Sequence, residues 1–150
     1  MSTNSIVDKL AGRPVAFGVT DFKMATSMPG IEFLHAMMSG KFSAPPICEA
    51  LDFILVEAEP GRAVFEGLPS DRFRNPLGTV HGGWMSTLLD SALGCAVHST
   101  LKAAQGFTTV DLAVSFVRAV HQSTGKLRCE AKVIHVGGRI ATAEARLVDA

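Results

Sequence analysis

The chain has 150 residues, the length of one domain, and its 14 lysines and arginines balance its 14 aspartates and glutamates. The net charge of zero excludes nucleic acid as the expected main ligand, because phosphate binding requires a basic excess or a basic face. Charged residues make up 19% of the chain, against about 25% in an average domain, and hydrophobic residues make up 47%, so we expect part of the surface to be buried against another subunit.

Residues 1–44 are predicted to form an N-terminal leader with one short helix. Up to residue 30, mixed polarity with several glycines and prolines indicates irregular structure. The chain does not begin with a basic segment followed by an apolar run, so the expected location is cytoplasmic. Apolar residues recur at helical spacing from Ile31 to Met38, and Gly40 is placed to end that helix.

Residues 45–150 are predicted to form one domain of the α+β class. The β-type runs Phe53–Glu59 and Arg62–Leu68 join at the turn dipeptide Pro60-Gly61, which predicts a hairpin. A helical stretch follows from Gly82 to Lys102. Three further runs have strand periodicity: Phe107–Val117, Leu127–Val136 and Arg139–Val148, the last two joined by Gly137-Gly138. The expected architecture is an antiparallel sheet wrapped around one long helix that is buried around its whole circumference.

The stretch from Gly82 to Leu101 has about the length that a bilayer requires, but it carries Asp90 and His98 and is rich in small residues. It predicts a buried helix, so no membrane association is expected. The three cysteines are odd in number and widely spaced, which fits neither a disulfide framework nor a zinc site. We expect Cys48, Cys95 and Cys129 to be reduced and buried. No metal-ligand pair or nucleotide-binding loop is found in the sequence, so neither a metal nor a nucleotide cofactor is expected.

Asp90 is the single acidic residue of the long helix, and burying a carboxylate is costly unless partners or a function compensate. It is therefore either a structural carboxylate bonded to a neighbouring group or a functional one. The start of the same helix favours a function, because two glycines follow His81 and let another group approach the free N–H groups of the first turn. That end of a helix binds carbonyl oxygens and anions.

The helix separates the two candidate groups. Asp90 lies eight residues beyond Gly82, so the two are about 12 Å apart along the axis. They cannot both touch one reacting carbon from the same chain. If the Gly82 N–H polarises a carbonyl and Asp90 attacks it or activates a water, the two groups must come from different subunits of a symmetric dimer.

Five short motifs stand in order between residues 75 and 139. They are Asn75-Pro-Leu-Gly-Thr-Val-His81-Gly82-Gly83, Thr87-Leu-Leu-Asp90, Thr108-Thr109-Val-Asp-Leu, Phe116-Val-Arg118 and Val136-Gly137-Gly138-Arg139. In these motifs the sequence resembles the hot-dog fold acyl-CoA thioesterases of the PaaI-like (phenylacetate-pathway) type, over about residues 45 to 149. The resemblance implies an α+β hot-dog fold, an antiparallel sheet wrapped around a long central helix. It also implies a homodimer with a continuous sheet, or a homotetramer of two such dimers.

The resemblance also implies roles for single residues. Gly82 would supply the backbone N–H that holds the thioester carbonyl and its developing oxyanion, and Asp90 from the other subunit would be the nucleophile or general base. Asn75 would position the thioester or the attacking water. His81 would orient its loop and hydrogen-bond near the thioester, and Thr109 would position the water or the carboxylate.

Thr108 is the alternative to Thr109 in this role. Arg118 and Arg139, with the turn Gly137-Gly138, would face the phosphates of coenzyme A, which is part of the substrate and not a cofactor. Each of these residues also has a structural interpretation: a turn residue, a β-forming residue or a solvated arginine. Apolar residues would line the far side of the pocket or belong to the core, namely Trp84, Met85, Met37 and Met38.

The function that the resemblance implies is hydrolysis of an acyl-CoA thioester. The alternatives are an acyl-CoA binding or sensing protein without turnover, a hot-dog dehydratase or hydratase, and a protein in which Asp90 is only a polar core residue. The sequence departs from the family at Ala119, where a proline usually follows the arginine. It also ends at Ala150, within an Asp-Ala pair that normally opens a turn, so either the chain is truncated or its sheet lacks one edge.

Overall fold

The computed structural model describes residues 5–149. Its helices are α1 (Ile6–Ala11), α2 (Phe22–Ala25), α3 (Gly30–Ser39), α4 (Pro46–Leu51) and α5 (Gly82–His98), and its strands are β1 (Phe53–Glu59), β2 (Arg62–Gly67), β3 (Leu127–Val136) and β4 (Ala141–Asp149). The strands form one antiparallel sheet in the order β1-β2-β3-β4. Helix α5 packs against this sheet, which confirms the predicted α+β hot-dog architecture.

The β1–β2 hairpin forms as predicted. Gly61 in its turn has a φ of +78°, which glycine adopts without the steric cost of a Cβ. The register pairs Phe53 with Gly67 and Leu55 with Phe65, and a bulge follows Leu55. Phe53, Leu55 and Phe65 are buried in the core. A Cβ at Gly67 would lie 2.9 Å from the Leu88 side chain of α5, so the helix packs closely on this part of the sheet.

Helix α5 ends at His98, four residues before the predicted end at Lys102. The reason is Ser99, whose Oγ donates to the Ala96 carbonyl at 2.6 Å and accepts the Gly61 N–H at 2.8 Å, which ties the helix end to the hairpin. The helix fully buries one stripe of residues: Trp84, Met85, Leu88, Ala92 and Ala96. The expectation that its whole circumference is buried is wrong for this chain, because the residues on the face opposite the sheet are half-buried or exposed.

The segment Phe107–Val117 does not form the predicted strand. It makes no ladder with any strand of residues 5–149, so the sheet has four strands and not five. A strand needs a neighbouring strand with which its backbone exchanges hydrogen bonds. Alternation of apolar and polar side chains does not supply that neighbour. The segment instead crosses the outer face of α5, where Phe107 meets Gly94 and Phe116 meets Gly82.

The leader contains more helix than predicted. Helix α3 and its end at Gly40, where φ is +85°, are confirmed. The expectation of irregular structure up to residue 30 is wrong, because α1 begins with a capping box between Ser5 and Asp8 and α2 begins after Asp21, whose side chain accepts two backbone N–H groups. Helix α4 was also missed, and it begins with Pro46 in the first turn, a position that favours proline.

The leader shares the core of the rest of the chain. Val7 and Leu34 are buried in the main hydrophobic cluster. The Gly30 N–H donates to the Leu101 carbonyl at 3.0 Å, and a Cβ at Gly30 would lie 1.7 Å from the carbonyl oxygen of His98. Helix α3 therefore packs against the end of α5 at a distance that only glycine allows.

Candidate active site

The first turn of α5 leaves one N–H group free. His81 is the N-cap residue, and its Nδ1 accepts the Gly83 N–H at 2.8 Å. The Trp84 N–H donates to the His81 carbonyl. The N–H of Gly82 has no acceptor within residues 5–149, so the helix start presents a donor where its dipole is positive.

The loop before α5 is held by Asn75. Its Oδ1 accepts the N–H groups of Leu77 and Thr79, and its Nδ2 donates to Thr79 Oγ1 at 2.7 Å. The His81 N–H donates to the Phe73 carbonyl at 2.7 Å, which closes the loop. The structure thus places Asn75 in the loop that sets the position of His81 and Gly82, with one amide hydrogen left for another acceptor.

Asp90 lies on the outer face of α5 and is half-buried. Thr109 Oγ1 donates to its Oδ1 at 2.7 Å. The structure therefore brings together the two residues that the motifs name, and it favours Thr109 over Thr108. Within one chain, Asp90 and Gly82 remain separated by two turns of helix, or about 12 Å.

The two candidate arginines are not brought together. Arg118 donates to Asp149 Oδ2 at 2.7 Å, at the end of β4. Arg139 precedes the start of β4 and is exposed, so the length of this nine-residue strand, about 30 Å, separates them. Gly137 closes the predicted turn by donating to the Ile140 carbonyl, and a Cβ at Gly138 would meet open space.

The four apolar pocket candidates fall into two groups. Trp84 and Met85 are buried in the core, where the Trp84 ring stacks on Phe73. Met37 and Met38 line a cavity of about 210 Å³, together with Leu10, Cys48, Phe65 and Cys95. Cys95 lies about 140° around the helix from Asp90, so this cavity is on a different side of α5.

The cysteines are not candidate nucleophiles. Burial raises the pKa of each of the three thiols to about 12, which keeps them protonated at neutral pH. All three are free.

The contact between Phe116 and Gly82 was not predicted. A Cβ at Gly82 would lie 3.0 Å from Phe116 Cζ, so the tip of the ring rests on the residue that carries the free N–H. The motif Phe116-Val-Arg118 contains this residue, but the resemblance implies a role only for its arginine. The glycine at the start of the helix was the available signal, because a missing side chain makes room for another group.

Among residues 5–149, none of the helices is long and apolar enough to cross a bilayer. The fold is that of a hot-dog protein, an antiparallel sheet packed on a long helix. The first N–H of this helix is free, and its outer face carries a carboxylate.

Comparison with known proteins agrees with this class. Residues 77–150 match the thioesterase superfamily. The chain is 41% identical over 73 residues to a Halobacterium salinarum protein provisionally named an esterase, covering 47% of this chain and 46% of the relative. It is 32% identical over 85 residues to acyl-coenzyme A thioesterase 13 of Mus musculus, covering 56% of this chain and 60% of the relative. The chain thus spans about half the length of these two relatives.

A solved structure has a similar fold. It is a Ralstonia eutropha JMP134 protein related to phenylacetic acid degradation and provisionally described as a thioesterase. The TM-score is 0.70 and the identity 25%, over 77% of this chain and 87% of the other. These findings confirm the predicted resemblance: the chain has the hot-dog fold and is similar to proteins of the thioesterase type, and its residues 77–150 match the thioesterase superfamily.

Proposed function

We propose that the protein hydrolyses acyl-CoA thioesters. The observation that carries the proposal is the hydrogen bond from Thr109 to Asp90, which holds a carboxylate on the outer face of the helix whose first N–H is free. The match to the thioesterase superfamily and the name of the mouse relative support this substrate class. In the reaction, the oxygen of water bonds to the carbonyl carbon, the carbon–sulfur bond breaks, and the departing thiolate of coenzyme A takes a proton.

Gly82 is the proposed oxyanion donor. Its N–H points out of the positive end of α5, where a carbonyl oxygen gains negative charge as the tetrahedral intermediate forms. His81 and Asn75 position this donor, His81 as the N-cap and Asn75 by holding the preceding loop. The hydrogen left on Asn75 Nδ2 and the Nε2 of His81 are available to the substrate.

Asp90 is the proposed nucleophile or general base. Thr109 occupies Oδ1, so Oδ2 is free either to attack the carbonyl carbon or to accept a proton from a water that attacks it. Both routes require the carboxylate in the same place. Because about 12 Å of helix separates Asp90 from Gly82, each site would combine the Gly82 of one subunit with the Asp90 of another, in a homodimer or homotetramer.

In the proposed dimer, the two arginines that bind one coenzyme A would come from different subunits. Arg118 and Arg139 lie at opposite ends of β4, so both would reach the phosphates of one coenzyme A only if each came from a different chain. The turn Gly137-Gly138 would accompany Arg139. A cytoplasmic location stays a prediction.

The proposed role of the Gly82 N–H as oxyanion donor can be tested by two substitutions at that position. Gly82→Pro removes the hydrogen, and proline is favoured in the first turn of a helix after a residue with extended backbone such as His81, whose φ is −63° and ψ is 134°. Gly82→Ala adds a Cβ at the same place but keeps the N–H. We expect Gly82→Pro to lower kcat about 100-fold to 1,000-fold and Gly82→Ala to lower it far less. The assay is release of coenzyme A thiol, followed with a thiol-reactive dye.

The carboxylate can be tested in the same assay over a panel of acyl-CoA thioesters. Asp90→Asn keeps the shape and the contact with Thr109 but removes the charge, so we expect hydrolysis to be lost. Undiminished hydrolysis by Asp90→Asn would contradict the mechanism. Binding of acyl-CoA without turnover by the unaltered protein would contradict the proposed function and favour an acyl-CoA binding protein.

A further inference from the structure

Each glycine of the His81-Gly82-Gly83 motif has an aromatic ring where its side chain would be. A Cβ at Gly82 would lie 3.0 Å from Cζ of Phe116, and a Cβ at Gly83 would lie 2.9 Å from Nδ1 of His81. Both distances are shorter than ordinary contacts of a Cβ. The two glycines therefore make room for two rings at the start of α5.

The two rings pack on neighbouring residues of the first turn of α5, one of which carries the free N–H. Consecutive residues of a helix are separated by about 100° around its axis, so the two rings approach from different directions. Each Cα–Cβ bond of a helix is tilted toward its N-terminus, which is also the direction in which the Gly82 N–H points. A carbonyl group bound to that N–H would therefore lie near both rings.

The two rings differ in polarity. The Gly83 N–H donates to His81 Nδ1, so the neutral imidazole carries its proton on Nε2 and can donate a hydrogen bond from there. Phe116 has no polar atom in its ring, and 56% of its surface is exposed although its tip contacts Gly82. The space in front of the N–H therefore has one polar side and one apolar side.

We propose that Phe116 is a specificity-determining residue that contacts the acyl group next to the thioester carbonyl. A carbonyl on the Gly82 N–H carries two substituents, a hydrocarbon and the sulfur of the amide-containing coenzyme A arm. The hydrocarbon matches the Phe116 ring, and the arm, with its polar groups, matches His81. This inference rests on the proposed function and extends it: the substrates are thioesters of acids with an apolar chain at the α and β carbons.

The test compares two thioesters that differ only in the acyl chain, hexanoyl-CoA and acetyl-CoA. We expect Phe116→Ala to lower kcat/KM for hexanoyl-CoA about tenfold more than for acetyl-CoA, because a few methylene contacts in an apolar pocket change selectivity by this order. Phe116→Leu should give an intermediate ratio. The matched control is Phe107→Ala, because the Phe107 ring contacts Gly94 in the same way, 12 residues further along α5, and the ratio should not change there.

An equal loss for both thioesters in Phe116→Ala would show a merely structural role and overturn the proposal, as would no loss at all. Failure of the unaltered protein to hydrolyse any thioester would overturn the proposed function instead. The contact between Phe116 and the acyl chain is tested by calorimetry, which measures the binding of non-hydrolysable analogues. In these analogues of both thioesters a methylene replaces the sulfur. Weaker binding of only the hexanoyl analogue by Phe116→Ala supports the contact, and equal binding by both proteins overturns it.

Discussion

At the scale of single residues, the site depends on contacts between groups that are distant in sequence. The resemblance implied that Thr109 positions the water or the carboxylate, and the hydrogen bond from Thr109 to Asp90 fits the second of these. The motifs did not predict that Phe116 contacts Gly82, since a ring contact across 34 residues leaves no local pattern. The sequence therefore named the polar candidate residues that the structure brings together, but not the apolar residue that contacts Gly82.

His98 offers a test of burial by titration. Its ring lies between those of Phe33 and Phe107, with centroids 5.5 and 5.3 Å away. Burial lowers the pKa of His98 below its ordinary value of 6.5. The unfolded chain therefore binds a proton at His98 at a higher pH than the folded chain does, and the free energy of unfolding falls as the pH decreases through about 6.5.

We expect urea unfolding at pH 7.5 and pH 5.5 to show this loss in the unaltered protein. His98→Phe should reduce the difference between the two pH values, because it removes the titrating group and keeps a ring. His135→Gln is the control, since His135 is exposed, and it should leave the difference unchanged. A pH dependence that is the same in His98→Phe and the unaltered protein would refute the assignment.

At the scale of elements, strong local signals gave correct predictions and weak ones did not. The hairpin at Pro60-Gly61 and helix α3 have turn and periodic signals of their own. Helices α1, α2 and α4 have four to six residues, too few to be stable alone, so their formation depends on packing that a local pattern does not record. The Phe107–Val117 periodicity was real, but a ladder also needs a neighbouring strand.

The contact between α3 and α5 leads to a prediction of stability. A Cβ at Gly30 would lie 1.7 Å from a backbone oxygen of His98, and a backbone atom cannot move aside as the end of a side chain can. We expect Gly30→Ala to lower the free energy of unfolding by about 3 kcal/mol or more, at the upper end of overpacking effects. Urea denaturation of the unaltered protein and of Gly30→Ala measures this change in the free energy of unfolding.

Gly18→Ala is the matched control for this change. A Cβ at Gly18 would have its nearest contacts at 3.6 Å, an ordinary van der Waals distance. It should alter stability by much less than Gly30→Ala does. Similar losses for both variants would show that backbone freedom, and not the close approach of α3 to α5, accounts for the effect.

At the scale of the whole molecule, the proposed mechanism requires two chains. The segment that crosses the outer face of α5 exposes large apolar side chains that a second copy would cover: Phe107, Val110 and Val117. This matches the low charge of the chain, from which association was first expected.

Mixing inactive variants tests the shared site. Asp90→Asn and Gly82→Pro chains, unfolded and refolded together, should recover about a quarter of the unaltered activity, because half of randomly formed dimers are mixed and each mixed dimer has one intact site of two. The control is Asp90→Asn mixed with Thr109→Val. These two residues act in one chain, so no site would be intact. No recovery in the first mixture, with subunit exchange confirmed, would refute a shared site.

The hydrogen bond from Gly30 to Leu101 also has a consequence for synthesis of the protein. Its acceptor lies 71 residues after its donor in the chain. The ribosome therefore releases α3 long before it releases Leu101, whose carbonyl accepts the N–H of the first residue of α3. Helix α3 leaves the ribosome before α5 does, yet its final position waits until the residues after α5 have been made.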